Sequence, residues 1–147
     1  MNGTAEGVST LGVDVVDVGA VDLTNLTFTE TGTGTAFVSG TDIVDIDGDL
    51  ANNTITGTTL ADNIAGNDGD DSLVGGDGAD TIDGGDGADT ITGGAGADER
   101  TGGAGADQFY ADDGANSITD FGNGADRVVI TAGATLAAAV TADYTAA

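Results

Sequence analysis

The chain reads as an all-β solenoid, on three grounds. Beginning at residue 66, a nine-residue unit recurs as GNDGDDSLV, GGDGADTID, GGDGADTIT, GGAGADERT and GGAGADQFY, with Gly at positions one and four and Asp at position six. Position eight is large and apolar in every unit but one, and that apolar phase continues well beyond the perfect units. The third ground is composition: 27 glycines, no proline and six aromatic residues in 147 would alone argue for disorder, but disorder has no use for a glycine every nine residues. A short glycine turn followed by a short strand explains the period.

The units extend in both directions. Counting back in nines gives GTTLADNIA at 57–65 and GDLANNTIT at 48–56, the latter with Asn53 at the acidic position. Further back the glycines fade while the apolar phase survives at Ile46, Phe37 and Phe28; forward, ADDGANSIT at 111–119 keeps Gly114 and Ile118 with Asn116 in place of Asp. The expected inward column is therefore Phe28, Phe37, Ile46, Ile55, Ile64, Leu73, Ile82, Ile91, Arg100, Phe109 and Ile118, one regular solenoid from about residue 20 to 119. A slip of one residue follows, since Gly124-Ala125-Asp126 comes ten residues after Gly114-Ala115-Asn116. The expected division is a β-rich N-terminal extension or cap at 1–47, the repeat array at 48–119, and a C-terminal cap with an Ala/Thr-rich tail at 120–147.

Each strand of the unit spans three residues, too few for independent sheets, so neighbouring turns must supply the pairing. Alternation points position eight inward and positions seven and nine outward, where Thr, Ser, Asp, Asn and Gln suit solvent. Two units make one full turn with a sheet on each side, and the inner columns meet in a thin core. Arg100 breaks the column. Burying an unpaired guanidinium is costly, so its strand is expected to bulge or its side chain to escape to an edge.

Charge narrows the chemistry. Twenty-six acidic residues face two basic ones, Arg100 and Arg127, for a formal charge of −24. No cationic surface exists for nucleic acid or anionic lipid. No apolar run approaches the ~18 residues of a membrane span, and MNGTAEGVST has neither the basic nor the apolar region of a Sec signal peptide. With no Cys and no His, thiolate and imidazole metal sites are unavailable. What recurs instead is one carboxylate and several exposed carbonyls per turn, so stacked turns offer rows of hard oxygen ligands, the ligand type of calcium. Carboxylates stacked at a strand spacing of ~5 Å repel one another, so the metal-free chain is expected to fold poorly.

GGxGxDxUx, with U large and apolar, is the pattern of the repeats-in-toxin (RTX) calcium-binding nonapeptide, and the units resemble it over 48–119. ITDFGNGADRVVI at 118–130 also resembles the segment that often follows such arrays. The resemblance implies a right-handed parallel β-roll with calcium between turns 18 residues apart. The ligands it implies are the carbonyls of positions two and four with the Asp of one turn, and the carbonyls of positions one and three with the Asp of the next. Carried onto this sequence, Asn67, Gly69 and Asp71 meet Gly84, Asp86 and Asp89; Gly85, Gly87 and Asp89 meet Gly102, Ala104 and Asp107. On the other edge, Gly76, Gly78 and Asp80 meet Gly93, Ala95 and Asp98, and Thr58, Leu60 and Asp62 meet Gly75, Asp77 and Asp80. About four calcium ions follow, and two further gaps, Asn53 with Asp71 and Asp98 with Asn116, have one charge fewer.

Competing motifs fail on particular residues. Asp45-Ile-Asp47-Gly-Asp49 starts like an EF-hand loop, but Leu50 and Thr56 stand where Gly and Glu are needed. The glycine runs lack a Lys to hold phosphate, and the periodic acids lack the His, Cys or Lys of a catalytic set. Thr-rich 23–35 could form flat outward Thr rows of the kind seen in ice-binding solenoids, but the outward columns beyond residue 57 are irregular. The chain is thus expected to be no enzyme. Two functions remain open. One is a calcium-stabilised structural module of a large secreted or cell-surface bacterial protein, of adhesin or surface-layer type. The other is the calcium-dependent export and folding module of a secreted hydrolase or toxin whose catalytic domain lies outside this chain. Calcium is the expected partner, with self-association or a cell-surface contact left open.

Overall fold

A computed structural model describes residues 43–122 and 124–130, and the backbone of 10–14 and 21–22. Its elements are all strands: β1 (Thr10–Asp14), β2 (Val21–Asp22), β3 (Ile43–Asp47), β4 (Thr54–Thr56), β5 (Ala61–Asp68), β6 (Ser72–Gly78), β7 (Thr81–Asp86), β8 (Thr90–Gly96), β9 (Glu99–Ala104), β10 (Gln108–Tyr110), β11 (Ser117–Ile118) and β12 (Arg127–Val129). Odd-numbered strands form one six-stranded sheet and even-numbered strands the other. Every pairing is parallel, so successive strands alternate between sheets and the chain winds as a solenoid of about five turns.

The period sets the register. From β3 to β11, residues pair with those 18 positions on, as in Ile64 with Ile82 and Leu73 with Ile91. The expected slip is present: β10 pairs with β12 at an offset of 19, Phe109 beside Val128. Inner columns of Ile46, Ile64, Ile82 and Ile118 on one sheet face Ile55, Leu73, Ile91 and Phe109 on the other, all buried. Each such side chain contributes roughly 1.5–3 kcal/mol on leaving water. Phe121 and Val128 pack against the C-terminal end of this core, the Phe109 and Phe121 rings 6.3 Å apart.

Three expectations need correction. The ladder is not confined to three residues per strand: Asn67 pairs with Gly85 and Gly76 with Gly94, because stacked turns also lie in register. The nine-residue phase does not continue unbroken ahead of β3. The strand beside β3 is β1, with Val13 opposite Ile46, and the strand beside β4 is β2, with Val21 opposite Ile55, so these places are not taken by segments 18 residues earlier. Phe28 and Phe37 lie outside the described residues. Finally, β9 does not bulge. Arg100 holds register between Ile82 and Ile118 and is only 5 % exposed, while its guanidinium reaches the edge of the roll.

Candidate metal centre

Strand alternation builds the site before any ligand is considered. In β5 the buried residues are Asp62, Ile64 and Gly66, so positions six, eight and one share the inner face. A turn therefore brings the Gly that ends one strand against the Asp that starts the next. At Gly66 a β-carbon would collide with Asp71 Oδ2 and with the Gly84 carbonyl oxygen of the following turn. Only hydrogen fits there.

The aspartates form a ladder along each edge. Asp71 N–H donates to Asp89 Oδ1 at 2.8 Å, and Asp89 N–H to Asp107 Oδ1 at 2.9 Å. On the opposite edge Asp62 N–H donates to Asp80 Oδ1 at 2.9 Å, and Asp80 N–H to Asp98 Oδ1 at 3.1 Å. One oxygen of each carboxylate is used in this way. The other, Oδ2 of Asp71, Asp80, Asp89, Asp98 and Asp107, is buried without a partner among the described residues. An unpaired buried carboxylate oxygen is expensive, and neighbouring aspartates repel one another. Burial accordingly pushes the Asp80 carboxyl up to about 7 and that of Asp89 to about 6, with neighbouring aspartates adding to the rise.

The four expected ligand groups are brought together to the following extent. Asp71 Oδ2 and the Gly84 carbonyl converge at Gly66, Asp89 Oδ2 and the Gly102 carbonyl at Gly84, Asp80 Oδ2 and the Gly93 carbonyl at Gly75, and Asp62 Oδ2 and the Gly75 carbonyl at Gly57. The carbonyls of Asn67 and Gly69 face Gly85 and Gly87 of the next turn; those of Gly76 and Gly78 face Gly94 and Gly96. Likewise Thr58 and Leu60 face Gly76 and Gly78, and Gly85 and Gly87 face Gly103 and Gly105. Gly85, with φ of +104°, shows the need for glycine, since a side chain there would be strained and would meet the Asn67 carbonyl. Asp77 and Ala95 sit beside each other in the ladder; the Asp86 and Ala104 carbonyls accept hydrogen bonds from Gly69 N–H and Gly87 N–H, leaving each a second lone pair. No group of three acidic side chains able to hold a metal ion occurs among the described residues; beside the carboxylates lie backbone carbonyls of the next turn. This mixed, all-oxygen donor set suits calcium.

One of the four groups differs. Asp62 is not open: its Oδ2 accepts Thr58 N–H at 2.7 Å, and its Oδ1 accepts the Thr58 hydroxyl at 3.0 Å. In the two gaps with an Asn, the amide is engaged within its own turn. Asn53 Nδ2 donates to Asp49 at 3.0 Å and Asn116 Nδ2 to Asp112 at 2.5 Å. Sequence reasoning missed three more aspartates. Asp112 accepts Gly94 N–H, Asp120 accepts both Gly102 N–H and Gly103 N–H, and Asp126 accepts Asp107 N–H and Gly122 N–H. For Asp126 the signal was present in the one-residue slip, which places it in the aspartate ladder.

Four overlapping copies of the RTX calcium-binding nonapeptide repeat model match residues 47–82, 65–99, 83–118 and 101–134. The chain belongs to the RTX calcium-binding repeat family. No curated protein and no solved structure matches it. The RTX β-roll is a calcium-binding structural domain rather than a catalytic fold. No helix among the described residues is long and apolar enough to cross a membrane.

Proposed function

We propose that this RTX roll is a folding switch for a large secreted or cell-surface bacterial protein of adhesin or surface-layer type, extended and acidic without calcium and rigid with it. The observation that carries the reading is the set of five buried, unpartnered aspartate oxygens, stacked along two edges of a core only two side chains thick. A fold of this kind is destabilised by its own charge until a divalent cation supplies the missing partner. Ions are assigned between turns 66–71 and 84–89, 84–89 and 102–107, and 75–80 and 93–98, where both carboxylates are open. A fourth, between 57–62 and 75–80, fills last because Asp62 must first give up its Thr58 bonds.

Far-UV circular dichroism tests the switch. The chain should give a coil-like spectrum in excess chelator and a β spectrum in millimolar calcium. Magnesium should substitute poorly, since it holds its water and demands a tighter octahedral shell. A full β spectrum in chelator would refute the switch.

A further inference from the structure

The two turns that carry Asn at position six share a second substitution. Asp49 and Asp112 occupy position two of 48–53 and 111–116, whereas the six turns between them have Thr, Asn or Gly there. In both, the Asn side chain donates to the Asp it accompanies, so the acid has moved within the turn and found a donor. The C-terminal turn adds a cation. Arg100 Nη1 donates to the Tyr110 carbonyl at 2.8 Å and lies 3.4 Å from both Asp112 carboxylate oxygens. Asp112 Oδ2 also accepts Gly94 N–H at 2.8 Å, which ties the carboxylate across the gap to the preceding turn on that edge. The pair is largely buried, with the two side chains 6 % and 12 % exposed.

We propose that Arg100 is a built-in counter-ion, balancing the charge between turns 93–98 and 111–116 as calcium does between the open turns, and that this gap takes no ion. The inference rests on the calcium reading and refines it. A calcium ion entering the gap meets a fixed guanidinium at close range and a neutral Asn116 in place of a carboxylate. The Asn116 amide is already spent, its Oδ1 accepting Asp98 N–H at 2.9 Å and its Nδ2 donating to Asp112. Asp98 turns its Oδ1 toward 75–80, where it accepts Asp80 N–H, while its Oδ2 is left without a partner beside Gly93. This accounts for a charge in an otherwise apolar column: the core is so thin that a side chain starting in β9 reaches the edge. Among the described residues, the last turn on this edge thus carries its own cation.

Crystals of the unaltered chain grown in calcium decide the point directly. Ions are expected between 75–80 and 93–98 and none between 93–98 and 111–116; an ion in the second gap overturns the proposal. Native mass spectrometry supplies the converse. Arg100→Ile combined with Asp112→Gly and Asn116→Asp should bind one more calcium per chain than the wild type, and an unchanged count overturns the proposal. Arg100→Ile alone should need several-fold more calcium to fold, and a lower requirement also counts against it. A wild type that binds no calcium in any of these measurements refutes the calcium reading itself, whereas a calcium-loaded wild type with the extra ion refutes only the role of Arg100. Should the triple variant fail to fold, the wild-type crystal still decides.

Discussion

Turns 84–89 and 111–116 occupy equivalent places in the repeat but differ in charge and in backbone at position two, where Gly85 has a φ of +104° and Asp112 has no positive φ. They differ at three residues, Gly84, Gly85 and Asp89 against Ala111, Asp112 and Asn116. In both, position four is a glycine with positive φ, +148° at Gly87 and +127° at Gly114. In both, an oxygen at position six accepts the amide one turn earlier, Asp89 that of Asp71 and Asn116 that of Asp98. These two features are common to both turns. What distinguishes the pair is the remaining atom at position six. It is an unpartnered carboxylate oxygen at Asp89 and an amide nitrogen donating to Asp112 at Asn116. The position-four glycine and the position-six acceptor are therefore kept in a turn whose position six offers no open carboxylate oxygen.

The largest effect should come from removing an open carboxylate at the centre of the array. Asp89 faces assigned ions on both sides, and its Oδ1 is the acceptor for Asp71 N–H. Asp89→Ala should abolish two ions, leave a buried N–H unpaired at a cost of about 1–3 kcal/mol, and raise the calcium needed for folding by on the order of tenfold or more. Asp62→Ala should remove only the last-filled ion at one end. Equal losses of bound calcium for the two variants, counted by titration, would mean that the 18-residue stacking does not organise the ions.

Much of this was legible in the residues because a solenoid makes sequence period and spatial register the same quantity. The position-eight column, the alternation of outward residues and the slip before Asp126 all follow from counting. What counting missed was of two kinds. The register of β1 and β2 breaks the nine-residue phase, and loop closure grows costlier only slowly with length, so an intervening segment of another length can deliver the next strand. Arg100 was expected to distort its strand or escape, and part of that is seen: the side chain reaches an acidic edge, but the backbone stays in register. The partner was readable as well, since Asp at position two accompanies Asn at position six in both turns where it occurs.

Acidity offers a smaller, graded way to close the open turns. Burial raises the Asp80 carboxyl to about 7 and that of Asp89 to about 6 from an ordinary 3.8, and moves Asp71, Asp98 and Asp107 in the same direction. The folded chain therefore binds protons more tightly than the unfolded chain. For a raised carboxyl, the stability is fully present below the unfolded value and is lost as pH rises through the folded one. In calcium-free buffer, β content should increase as pH falls from 8 through 7 and 6 toward 5. Calcium should bind more weakly over the same window, because protons compete for the same oxygens. A calcium-free spectrum that stays coil-like throughout that range would mean that the unpartnered oxygens are not what opposes folding.

The smallest effect concerns a turn intermediate between the two types. Turn 57–62 has the acid at position six, as the open turns do, but Thr58 closes it through both its N–H and its hydroxyl. The hydroxyl also accepts Leu60 N–H at 3.0 Å, so it orders the turn as well as neutralising the acceptor. An ion arriving there must displace the hydroxyl from Asp62, and a hydrogen bond of this type is worth about 1 kcal/mol. Thr58→Val keeps the branched shape and removes that competitor together with the acceptor for Leu60 N–H, while the Thr58 carbonyl and N–H remain. The last calcium step should then move to lower concentration by roughly fivefold, the equivalent of that ~1 kcal/mol. The earlier steps, at turns remote from Thr58, should not move. A stepwise calorimetric titration resolves the two. If the last step stays where it is in the wild type, the hydroxyl is not what holds Asp62 back, and this turn belongs with the open ones after all.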